Sequence, residues 1–208
     1  MTSMWAFVPS APLLALSGDD ALVSVRDAAQ SVVAEIVAHT TTSITVLADG
    51  EGAAVRDESA GGTLREYGLD VHAGGEQIAL GLGHTIGAWL LDRAGWRGRR
   101  RYATDVDSPD GTVLVVADGA ACVETNSPRG FDPRGPGFQN ALLASLGSAD
   151  AALLASLDLE VAAELWCSGA AVLSRVGRAT QERTWRGEMR YAGAPLGVGY
   201  WVALWRSP

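Results

Sequence analysis

With 208 residues, 48% hydrophobic and 19% charged, the chain is too apolar for a disordered protein and long enough to bury a core as one domain over residues 1–208. Its net charge of −8 argues against a general nucleic-acid binder, whose affinity rests on cations set against phosphates. No stretch of about 18 uninterrupted apolar residues exists to cross a bilayer, so no membrane partner is expected.

The two cysteines, Cys122 and Cys167, lack CxxC spacing and are too few for a disulfide framework, so free thiols in a reducing cytoplasm are expected. The N-terminus lacks the basic region of a signal peptide. All sixteen basic residues are arginine, which removes lysine-based Schiff-base and P-loop mechanisms and, with abundant Ala and Gly, suggests a GC-rich bacterial genome.

In chain order, Trp5 to Val8 reads as a strand ended by the turn Pro9-Ser10-Ala11-Pro12. Asp19 or Asp20 is a candidate N-cap for a long helix with Leu22, Val25, Ala29, Val32, Val33, Ile36 and Val37 at helical spacing; His39 falls in its last turn, suited to the helix dipole. Ser43 to Ala48 is a second buried strand, and strand-helix-strand order predicts a right-handed parallel crossover. Residues 53 to 75 read as a long loop with a short element near Leu69 to Val71 and an exposed His72. Glu76 to Leu80 is a short extended piece. Gly81 to Gly87 then resembles a flexible glycine loop before a helix that Gly95 stops. The run Arg97, Arg99, Arg100, Arg101 is expected to be a solvated turn.

Thr112 to Ala117 is a run of β-branched and small apolar residues, the pattern of a central strand, broken at Asp118-Gly119. A Pro/Gly-rich loop, Asn126 to Gly137, leads to helices across Phe138 to Leu146, Ala149 to Leu157 and Leu159 to Leu173. Trp185 to Tyr191 and Val198 to Trp205 form a closing hairpin whose aromatics are expected in the core and at its edge. The sum is an α/β fold: a mostly parallel central sheet, flanking helices and a C-terminal β-hairpin. Ligands of such sheets bind beyond the carboxyl ends of the strands, which directs attention to Asp118, Ala121, Cys122 and Glu124 after the strand Thr112 to Ala117.

No GxSxG, HExxH, CxxC, EF-hand or Walker motif occurs, and none of the three histidines is paired at i, i+3 or i, i+4. Several longer segments carry a resemblance instead: PSAPLL, LADG, GLGHTIGAWLLDRAGW, VVADGAA, LEVAAELWCSGAA and the closing WRGEMRYAGAPLGVGYWVALW. Together these resemble the class III extradiol ring-cleavage dioxygenase superfamily, in particular the LigB-like catalytic B-subunit domain in a divergent actinobacterial branch. The resemblance implies the LigB-like architecture and, in ring-cleaving members, ferrous iron on two histidines and a glutamate with a further acid/base histidine.

Carried over position by position, the roles are altered. Ser10 stands where the first iron histidine is expected, Asp49 or nearby Glu51 at the second, and Ala121 at the acid/base position. Glu160 falls at the iron glutamate, and His84 resembles the active-site histidine of a DHGxW-like segment. An oxygen-rich set of Ser10, Asp49 and Glu160 suits magnesium, calcium or manganese better than iron, so the cofactor is Fe(II) by resemblance, another divalent metal, or none.

The reading is a divergent LigB-like protein without standard Fe(II) ring cleavage. His84 and Asp118 are its catalytic candidates, Asp49 and Glu160 its metal candidates, and Ser10 and Cys122 its candidates for contacting a small-molecule ligand. Two alternatives stay open. One is an active aromatic-ring-opening dioxygenase in which His84, Glu160 and a carboxylate or His72 serve as substituted ligands. The other is a non-catalytic subunit acting through a homo-oligomer or partner-subunit contact on the aromatic hairpin.

Overall fold

The fold is taken from a computed structural model that describes residues 2–16, 20–50 and 55–208. Asp19, the Asp20 side chain and Glu51, named above as cap or ligand candidates, lie outside that description. The central feature is a six-stranded mixed sheet in the order β6-β2-β7-β1-β9-β8. Strands β1 (Met4–Val8), β2 (Ser43–Ala48), β6 (Arg99–Ala103) and β7 (Thr112–Val116) run parallel. The hairpin strands β8 (Arg186–Gly193) and β9 (Tyr200–Arg206) pair antiparallel with each other, and β9 closes against β1. β7 lies between β1 and β2, so the first two strands are parallel but not neighbours.

Side chains alternate across this sheet because successive Cβ atoms of a strand point to opposite faces. Met4, Ala6 and Val8 of β1 and Leu114 and Val116 of β7 join one core, whereas Trp5, Phe7, Val113 and Val115 join the other. The first core is covered by α1 (Val23–His39) and α2 (Leu82–Arg93). The second is covered by α3 (Gly135–Ser148), α4 (Ala151–Ala155), α5 (Leu159–Glu164) and α6 (Ala170–Thr180). The result is a three-layer α/β arrangement buried on both faces, which is why the central strands are almost continuously apolar.

The aromatics do belong to the core. Trp5, Trp201 and Trp205 are fully buried, and the Phe7 and Trp205 rings lie 4.9 Å apart. The Trp205 indole donates to the Leu146 carbonyl at 2.7 Å and ties the hairpin to α3. The outer strand β8 presents Arg186, Glu188 and Arg190 to solvent and carries a register irregularity between Met189 and Tyr191, features that discourage strand addition.

Four expectations are corrected. The segment read as a long loop contains β3 (Ala60–Thr63) and β4 (His72–Gly74), which with β5 (Gln77–Ile78) form a second, three-stranded sheet packed on α2. The glycine-rich run at Gly81 is not a flexible cradle, because α2 begins at Leu82. A Cβ on Gly87 would stand 2.4 Å from a Val46 methyl, so the glycine lets the helix lie close on the sheet. The arginine run is mostly strand rather than turn: Arg100 is buried and bonds Asp92 at 2.7 Å. Finally, the helix expected over Leu159 to Leu173 is two helices, broken where Trp166 adopts a positive φ of 54°. No helix among the described residues is long and apolar enough to cross a membrane.

Candidate functional site

Strand β1 leads into α1 on one face of the sheet, and its neighbour β7 leads into α3 to α6 on the other. Chains that part to opposite faces open a crevice at the carboxyl ends of the two strands. Ser10 follows β1 and Asp118 follows β7, and they meet across that crevice. The Ser10 amide donates to Asp118 Oδ1 and the Ser10 hydroxyl to Asp118 Oδ2, each at 2.7 Å.

A cavity of about 190 Å³ opens beside this pair, lined by Ser10 and Asp49 at strand ends, Leu82 and Gly83 at the start of α2, and Ser168, Gly169 and Val172 around the start of α6, with Val116 and Ala117 of the β7 end. Gly169 is required here, since a Cβ on it would come within 2.5 Å of the Asp118 carbonyl. The break at Trp166 turns the chain so that α6 begins at the cavity, which the expected continuous helix would not have done. A larger cavity of about 470 Å³, beside Thr42, Arg97 and Arg99, sits at the amino ends of β2 and β6, the end of such sheets away from ligand crevices.

Dense protein around Asp118 penalises its ionised form, and although Ser10 donates two hydrogen bonds, the carboxyl pKa is pushed up to about 6. Its edge remains partly exposed. Asp49 is exposed and faces Arg175 at 3.6 Å, while Arg175 also donates to the Thr104 carbonyl.

His84 is buried beneath the Asp49-Gly50 turn. Its Nε2 lies 2.9 Å from the Ala103 carbonyl, which can only accept, so Nε2 carries the proton. Burial pushes the His84 pKa down, favouring the neutral ring. His84 buttresses the site from below rather than lining it.

Cys122 is likewise apart from the cavity wall: it is buried, donates to the Leu165 carbonyl at 3.3 Å, and burial pushes its thiol pKa up. Glu160 is exposed in the first turn of α5, where its amide donates to the capping carboxylate of Asp158. The structure thus brings Ser10, Asp118 and Asp49 together and leaves His84, Cys122 and Glu160 off the cavity wall. Sequence reasoning missed Ser168, Val172 and Arg175, whose approach depends on the α5–α6 break and carries no motif.

The residues do not fit an iron facial triad. Among the described residues no group of three or more His, Cys, Asp or Glu side chains could hold a metal ion. Asp49 is turned toward an arginine, and Glu160 faces solvent.

No family model matches the chain. No curated protein matches it. Among solved structures it is similar to one described as the crystal structure of uncharacterized protein JW3007 from Escherichia coli K12, at 13% identity and a TM-score of 0.48 over 97% of this chain and 98% of that one.

Proposed function

We propose that this chain is a divergent protein of the class III extradiol dioxygenase superfamily, LigB-like in architecture, whose crevice binds a small molecule without iron-dependent ring cleavage. The observation that carries this reading is the Ser10–Asp118 pair at the cavity. Where the resemblance expects an imidazole ligand for iron, the chain has a hydroxyl whose proton is committed to a neighbouring carboxylate. A serine in that state is a poor iron ligand but a well-oriented polar contact for an organic ligand. Ala121 in place of the acid/base histidine supports the same reading, because its side chain transfers no proton.

The test is metal content and oxygen uptake. Purified protein should retain no stoichiometric iron after dialysis and consume no oxygen with protocatechuate or another catechol in the presence of added ferrous iron. Stoichiometric iron together with catechol-dependent oxygen uptake that is lost in His84→Ala would establish the ring-opening alternative instead.

A further inference from the structure

The Ser10–Asp118 pair fixes which kind of hydrogen bond a ligand can make. The Ser10 hydroxyl proton points to Asp118 Oδ2 and the Ser10 amide to Oδ1. Ser10 lines the cavity, so its oxygen offers lone pairs to a ligand there. Behind that oxygen stands the half-buried Asp118 carboxylate, which makes the hydroxyl a stronger acceptor than an isolated serine. Leu82, Val116, Ala117 and Val172 give the cavity apolar walls, and its volume of about 190 Å³ matches a ligand of one small ring.

We propose that the crevice selects a small, neutral weak acid whose N–H or O–H donates to Ser10 Oγ, with Ser10 relaying the acidic proton to Asp118. This rests on the small-molecule reading of the crevice given above. In the transfer the ligand X–H bond breaks as its proton bonds to Ser10 Oγ, while the Ser10 O–H bond breaks as that proton bonds to Asp118 Oδ2. The electron pair of the X–H bond stays on the ligand, and one negative charge passes from Asp118 to it. The charge then sits beside Leu82 and Gly83, the first residues of α2, where the helix dipole is favourable.

Burial makes Asp118 a better proton acceptor than a solvated carboxylate. Other titratable groups nearby do not compete. The Cys167 thiol contacts the Asp118 carbonyl and is pushed up to about 12 by burial, and burial also pushes the Tyr200 hydroxyl up. Asp49, on the cavity wall, is directed to Arg175.

The experiment uses the full chain at neutral pH and three probes: pyrazole, nitropyrazole and N-methylated nitropyrazole, which keeps the ring and nitro group but has no N–H. Calorimetric titration should show nitropyrazole binding about tenfold more tightly than either of the others, the size of a charge-assisted over an ordinary hydrogen bond. Ser10→Ala and Asp118→Asn should each reduce that preference to about twofold or less, and Ser10→Thr, which keeps the hydroxyl, should restore most of it. Near-ultraviolet circular dichroism checks that each variant is folded.

Equal binding of nitropyrazole and its N-methylated form would overturn the relay while leaving a small-molecule crevice in place. A preference that persists in folded Ser10→Ala would also overturn it, as would failure of all three probes to bind. The iron and oxygen measurements above are independent of each of these outcomes.

Discussion

Asp118 places a carboxylate where ionisation is costly, and this gives the protein a pH-dependent stability of defined sign. Its native pKa of about 6 lies above the unfolded value near 3.8. Its favourable contribution is therefore fully present below the unfolded value and is lost as pH rises through about 6. The gap is worth on the order of 1–3 kcal/mol, the lower part of the range reflecting the partly exposed edge. Asp118→Asn removes the charge while keeping the shape. Its stability relative to wild type, from urea unfolding, should improve by that amount between about pH 4.5 and pH 7.5. A gap that stays constant across the range would show that Asp118 titrates as an ordinary carboxylate. Burial acts in the same direction on Cys122, and its raised thiol pKa predicts labelling by a thiol reagent at neutral pH far slower than in a model peptide. At this scale the sequence alone placed Asp118 at the sheet's carboxyl edge, because a turn after a buried strand must lie there, and it named Ser10 and Asp49 only through the family resemblance. It placed His84 less well. A histidine in a glycine-rich segment looks available, and only the helix start at Leu82 shows that its ring is turned beneath the site.

Elements are positioned by glycines that the sequence displays without revealing their use. α2 reaches the sheet because Gly87 has no side chain: a Cβ there would meet Val46 at 2.4 Å and Val116 at 3.2 Å. Gly137 in α3 would meet nothing within 4 Å. Alanine substitution should therefore act in opposite directions. Gly137→Ala should gain up to about 1 kcal/mol from helix propensity. Gly87→Ala should lose about 1–2 kcal/mol, because overpacking between helix and strand exceeds the same propensity gain. Denaturant midpoints measured in parallel decide the point, and a stabilised Gly87→Ala would mean that α2 can lift from β2 without cost. Strands were the most legible elements, since β1, β2 and β7 are short apolar runs bounded by turn residues. The α5–α6 break was not legible: Trp166 is not a residue that favours positive φ, yet it takes the left-handed position of a helix cap, with the Cys167 amide donating back to the Ala162 carbonyl at 2.9 Å.

In the whole molecule, one sheet with two cores carries most of the burial, and the small sheet beside α2 is an appendage to it. β1 and β7 are paired on both sides and covered on both faces, so their amides are exposed only when the whole domain opens. β3, β4 and β5 are short: their pairings run over Ala60–Thr63, His72–Gly74 and Gln77–Ile78, and β5 is exposed at both residues. Glycine within β3 and β4 and charge in the residues before and between them are why the sequence reads as loop there; pairing to one another and packing on α2 supply the order that local propensity does not. Native-state hydrogen exchange should separate the two sheets. Amides of Ala6, Phe7, Leu114 and Val115 should exchange with the free energy of global unfolding and with its full denaturant dependence. Those of Gly62, Ala73 and Ala79 should exchange through a local opening that is less costly and nearly independent of denaturant. Since α2 carries both the small sheet and the Leu82–Gly83 wall of the cavity, a ligand in the crevice should slow exchange at the start of α2 more than at β4. Equal slowing of both sheets by ligand would mean that they open as one unit, and that the cavity wall is coupled to the whole domain rather than to α2 alone.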